Sequence, residues 1–127
     1  MRLIWLIDDT EDHHAVVATT VARAGCTYEG FRSGHEALAT YQERLAGGDL
    51  PQIVLMDFFL SASEERGDQV TEALRSLQRA GHRPLVVGFS SVRAASERIV
   101  EAGGDLILPK RGGRDGINHD LLRFLTA

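Results

Sequence analysis

Two aspartates stand side by side at Asp8-Asp9 and a third at Asp57, each set directly behind a short apolar run. Leu3–Ile7 ends at Asp8, and Ile53–Met56 ends at Asp57. Ser90 closes a third such run, 85–89, and Lys110 follows a fourth, 106–108. These residue types share a chemistry. Carboxylates brought together repel strongly, and a divalent cation resolves the conflict. Hard oxygen ligands offered by few protein groups suit Mg2+, which keeps several waters. An aspartate is also a nucleophile toward phosphorus, giving an aspartyl phosphate. That transfer needs a cation to shield the incoming phosphoryl oxygens. It also needs a fixed positive side chain to match the developing charge, and a hydroxyl or backbone donor for a further oxygen. Lys110 can be the positive side chain and Ser90 the hydroxyl. Singly, each residue has a plainer role: Asp9 or Thr10 as a helix cap, Asp57 as a strand-end turn residue. In combination the chemical role is favoured.

The elements that must position these residues alternate along the chain. The apolar runs at Leu3–Ile7, Ile53–Met56, 85–89 and 106–108 read as strands, with a weaker strand at 26–31. Between and after them, apolar residues recur at spacings of three and four, as on one face of a helix. Helices are expected at 10–24, 34–46, 68–80, 94–102 and 118–125, the first four stopped by glycine. Five strand–helix pairs imply a doubly wound, five-stranded parallel sheet with right-handed crossovers and helices on both faces. Strands that are apolar nearly throughout fit burial from two sides. In such sheets, ligands bind beyond the carboxyl ends of the strands, at the switch point of strand order, where strands one and three are neighbours. Asp8, Asp9, Asp57, Ser90 and Lys110 would then converge there.

Composition narrows the function classes. A chain of 127 residues, 43% hydrophobic and 25% charged, reads as one globular, soluble domain spanning 1–127. A net charge of -4 gives no general attraction to nucleic acid or anionic membrane. The tightest basic group, Lys110, Arg111 and Arg114, is too small for a polyanion footprint. Cys26 alone cannot form an internal disulfide or a multi-cysteine metal site. The apolar run at the N-terminus is too short for a signal segment or a membrane span. No membrane insertion and a cytoplasmic location are expected.

Other signals read as structural. His13-His14 is expected to be solvated on the first helix, since adjacent residues point in different directions. Ser90-Ser91 lacks the Gly-x-Ser-x-Gly surround of a nucleophilic serine. Cys26 is expected to be a small apolar filler and Trp5 a core residue. The glycines from Gly112 to Gly116 carry no Walker or dinucleotide pattern and read as a flexible loop.

Taken in order, the pieces resemble the response-regulator receiver family. They are Leu6-Ile7-Asp8-Asp9, Ser33-Gly34-His35-Glu36-Ala37-Leu38, Ile53-Val54-Leu55-Met56-Asp57, Gly67, Ser90, and Ala102-Gly103-Gly104-Asp105 leading to Lys110. The resemblance covers nearly the whole chain and implies a flavodoxin-like fold. It implies Asp57 as phosphoacceptor, Asp9 as a direct Mg2+ ligand, Asp8 as a ligand through water, and the Phe59 backbone carbonyl as a further ligand. Ser90 and Lys110 would contact the phosphoryl group, with Ser91 replacing Ser90 if its strand is shifted by one residue. Partners would be a histidine kinase or a histidine phosphotransfer protein, with output through protein–protein contact from a stand-alone domain that is not an enzyme.

The sequence departs from the family pattern in places. Arg111 follows Lys110 where a proline is usual, Ile107 stands where an aromatic switch residue is usual, and Ser61 stands where a proline is common. The first two of these departures favour a second reading, a receiver-like interaction module acting without phosphorylation, while the three acids, Ser90 and Lys110 argue against it. A third reading, a hydrolase of the haloacid-dehalogenase type, would need Asp-x-Asp after the first strand. Asp8-Asp9-Thr10-Glu11 does not supply it.

Overall fold

A computed structural model describes residues 2–60, 65–77 and 81–127. The chain runs β1 (Leu3–Ile7), α1 (Glu11–Arg23), β2 (Thr27–Phe31), α2 (Gly34–Arg44), β3 (Ile53–Met56), β4 (Phe59–Leu60) and β5 (Glu65–Arg66). It continues through α3 (Gly67–Leu77), β6 (Leu85–Gly88), α4 (Arg93–Glu101), β7 (Leu106–Ile107) and α5 (His119–Thr126). Five strands form one parallel sheet in the order β2-β1-β3-β6-β7. β1 and β3 are neighbours in register, Ile4 opposite Ile53 and Ile7 opposite Met56, so both strands deliver their C-terminal ends to the same level.

Period-two alternation in fully apolar strands splits the core into two layers. Trp5, Ile7, Val54, Met56 and Val86 face one side, where they pack with Ala37 and Tyr41 of α2, Val70 and Leu74 of α3, and Ala95 and Ile99 of α4. Ile4, Leu6, Ile53, Leu55 and Val87 face the other, against Val17 and Val21 of α1 and Leu121 and Leu125 of α5. Each helix contributes the apolar stripe that its spacing of three and four anticipates.

The differences from expectation lie at edges. β2 borders the sheet and is only partly buried, which is why its pattern is faint. The hairpin of β4 and β5 is too short to show a period in the sequence. α1 starts after Thr10, which stands at its N-cap without a side-chain capping bond. The expected end of the third helix at Ala80, and Ser61, lie outside the described residues.

Gly67 has a packing reason. Its N–H donates to the Phe58 carbonyl at 2.8 Å, and a Cβ placed there would overlap the Asp57 carbonyl oxygen and lie 2.9 Å from its carbon. Only a residue without a side chain lets α3 begin this close to the end of β3. Among the described residues, no helix is long and apolar enough to cross a membrane.

Candidate functional site

The carboxyl ends of β1 and β3 set the acids. The Asp57 N–H donates to the Ile7 carbonyl at 3.1 Å, extending the β1–β3 ladder one step past the strands. The Asp8 N–H donates to the Phe31 carbonyl at 3.0 Å, so Asp8 is fixed from the β2 side. One carboxylate oxygen from each of Asp8, Asp9 and Asp57 lies within 4.8 Å of the others. Asp8 and Asp57 are buried.

Lys110 arrives from the end of β7. Its Nζ donates to Asp57 Oδ1 at 2.9 Å and to Asp8 Oδ2 at 3.0 Å, with the side chain only 10% exposed. Burial pushes the Asp57 carboxyl above the ordinary range; Lys110 pulls it back, and the neighbouring Asp8 charge adds to the rise. The donor set is oxygen throughout, three carboxylates share one small space, and a single lysine neutralises only part of their charge. These residues fit a hard divalent cation such as Mg2+.

The loop that carries Lys110 is held without the proline that the family pattern places after the lysine. The Asn118 side-chain amide donates to the Pro109 carbonyl at 3.0 Å, its Oδ1 accepts the Leu121 N–H and caps α5, and its backbone N–H donates to Thr20 Oγ1 at 3.0 Å. Arg111 Nε pairs with Asp120 at 3.0 Å on the other flank. In the sequence Asn118 reads only as a helix start; nothing in the pattern announces its contact with Pro109.

Of the two serines, Ser90 is buried and Ser91 exposed. Ser90 Oγ accepts the Val92 N–H at 3.1 Å, which leaves its hydroxyl hydrogen to donate. The Ser90 N–H is held by Ser96 Oγ at 3.1 Å. Two residues beyond Asp57 and Ser90, respectively, Phe59 is 55% exposed and Val92 48%, whereas Phe58 turns into the core.

The expectation of solvated histidines on α1 is corrected. His14 is buried, with Nε2 donating to the Asp8 carbonyl at 2.7 Å and Nδ1 facing the Tyr28 hydroxyl. Burial pushes that hydroxyl up to about 12, so it keeps its proton. His13 Nδ1 lies 2.8 Å from Asp8 Oδ2. The signal for His14 was present, since His14, Val17 and Val21 share one face at spacings of three and four; its polar type masked it.

No family model and no curated protein matches the sequence. Solved structures do. A response-regulator receiver domain from Rhodospirillum rubrum superposes with a TM-score of 0.77 at 19% identity, over 98% of this chain and 91% of that one. The chain has the receiver-domain fold. The receiver domain of a sensor histidine kinase from Pseudomonas aeruginosa, with a magnesium ion coordinated in its active-site cleft, gives a TM-score of 0.75 at 21% identity, over 98% and 93% of the two chains. A Burkholderia pseudomallei response regulator with a phosphorylated aspartic acid, a calcium ion and citrate gives 0.68 at 21% identity, over 91% of this chain and 63% of that one.

Proposed function

We propose that this receiver accepts a phosphoryl group on Asp57 in a Mg2+-dependent reaction and signals through protein–protein contacts. The observation that carries the reading is Lys110 Nζ bridging Asp57 and Asp8 within the three-carboxylate cluster. An Asp57 carboxylate oxygen attacks phosphorus, a new P–O bond forms, and the bond from phosphorus to the donor breaks, its electrons leaving with the donor. Lys110 matches the charge that develops on the phosphoryl oxygens, and the Ser90 hydroxyl donates to one of them. Asp9, Asp57 and the Phe59 carbonyl would hold Mg2+ directly, with Asp8 acting through water; the bound ion neutralises phosphoryl charge. The donor would be the phosphohistidine of a histidine kinase or of a histidine phosphotransfer protein, in the cytoplasm.

Incubation with a small phosphodonor tests this. The wild type should gain one phosphoryl group with Mg2+ and none with EDTA, and Asp9→Ala should label at least tenfold more slowly at equal Mg2+. The second reading, an interaction module without phosphorylation, is favoured by Ile107 at the position of the usual aromatic switch. It predicts no labelling under any of these conditions.

The phosphoryl group should be long-lived. Phe59 and Val92 stand exposed at the two positions that, by resemblance, border the approach of a hydrolytic water, and neither can hydrogen-bond it. Phe59→Asn supplies such a group. A barrier change of about 1.4 kcal/mol is tenfold in rate, so we expect decay of the phosphorylated protein to quicken roughly tenfold. Equal decay in wild type and variant would remove Phe59 from this role.

A further inference from the structure

We infer that His13 is a positioning residue for this site: it fixes the Asp8 carboxylate and thereby sets how much of the Lys110 ammonium is left to Asp57. The inference rests on the phosphoacceptor reading above and adds a residue that the family pattern does not assign.

Asp8 is fully buried, and both of its oxygens are engaged. Oδ1 accepts the Thr10 N–H at 2.9 Å. Oδ2 accepts from His13 Nδ1 at 2.8 Å and from Lys110 Nζ at 3.0 Å. A carboxylate only accepts, so the proton in the His13 contact sits on Nδ1. Hydrogen bonds to an ionised acceptor are among the stronger ones in proteins, and three of them pin this carboxylate in one orientation. The backbone beneath is pinned too, by His14 on the Asp8 carbonyl and by Phe31 on its N–H.

Lys110 Nζ lies between Asp8 Oδ2 and Asp57 Oδ1, at nearly equal distances. Without the His13 donor, Oδ2 would draw more of the lysine, and Asp57 would hold less of it. Asp8 would also gain freedom to turn, which degrades a group expected to act on the cation through water. Outer partners of metal-site groups commonly carry 10–100-fold of affinity or activity. The His13 side chain is 38% exposed and so partly packed, which calls for a variant that keeps its bulk.

The test uses the full chain and three proteins: wild type, His13→Leu, which keeps bulk and removes the donor, and His13→Asn, whose amide N–H stands near the place of Nδ1. Mg2+ affinity is measured by calorimetry, and labelling rate with a small phosphodonor at saturating Mg2+. His13→Leu should bind Mg2+ about tenfold more weakly and label more slowly. Losing one hydrogen bond to the buried Asp8 carboxylate should lower its metal-free melting temperature by roughly 5–10 °C, with the protein still folded. His13→Asn should recover most of both losses. Wild-type affinity and rate in His13→Leu would overturn the inference. So would an asparagine variant as impaired as the leucine one, or a leucine variant that no longer melts cooperatively. A wild type that neither binds Mg2+ nor is labelled would overturn the phosphoacceptor reading itself, and the inference with it.

Discussion

Replacing Lys110 with methionine will leave Asp8 and Asp57 buried side by side without their shared cation, and we expect the protein to lose roughly 3 kcal/mol of stability near neutral pH. Removing one partner from a buried ion pair costs this much because the remaining charges cannot be hydrated. Here two carboxylates are left, and they repel. The deficit has a definite pH dependence. Burial already raises the Asp57 carboxyl above the ordinary range, and Lys110 is what pulls it back. Without the lysine it climbs further. A carboxyl raised in the folded state contributes stability that is fully present below its unfolded pKa and is lost as pH rises through the folded one. The gap between wild type and Lys110→Met should therefore be widest near neutrality and narrow toward about pH 4, where aspartates protonate. Urea midpoints measured across that range would show it; a gap that stays constant would contradict the pairing. Labelling of Asp57 should fall by about 10²-fold or more in the same variant, the scale seen when a charge-stabilising donor is removed from an active site.

Gly67→Ala should damage the proposed site while leaving every side chain in it unchanged. The added methyl would overlap the carbonyl oxygen of Asp57 itself, and the neighbouring atoms it meets are backbone. A flexible side chain could swing away, but the end of β3 cannot, because its N–H groups are tied into the sheet. Overpacking of this kind costs roughly 1–3 kcal/mol. The larger effect is on rate, since a shift of about 1 Å in a reacting group costs about 10²-fold. Circular dichroism should show a folded protein, urea melts a modest loss, and phosphodonor labelling a fall of about a hundredfold. Labelling at the wild-type rate would mean that the carbonyl moves aside and Asp57 does not.

What could be read in the sequence follows from what sequence patterns report. β1, β3 and β6 lie in the sheet interior and are buried on both faces, so each appears as an unbroken apolar run. Their alternation with helices implies a doubly wound parallel sheet, and the flavodoxin-like strand order that the resemblance implies brings Asp8, Asp9, Asp57 and Lys110 together. The edge strand β2 and the two-residue strands β4 and β5 lack either two-sided burial or the length to show it. The contacts of His13, His14 and Asn118 were hidden for a different reason. Periodicity says which side of an element is covered, not which polar atom meets which. His14 occupies a core-facing position on α1, yet it is there to hold the Asp8 carbonyl and face Tyr28 rather than to fill space. Besides capping its own helix at Leu121, Asn118 joins Pro109 and Thr20, which no repeat relates to it. Contacts of that kind become visible only when the chain is folded.

Asp57 is the proposed carrier of the phosphoryl group. Wild type and Asp57→Asn should be incubated side by side with a small phosphodonor and Mg2+, and their intact masses compared. Asparagine keeps the shape of the side chain, but its amide is a poor nucleophile. The wild type should be heavier by one phosphoryl group and the variant unchanged in mass. Equal labelling of the two proteins would contradict it.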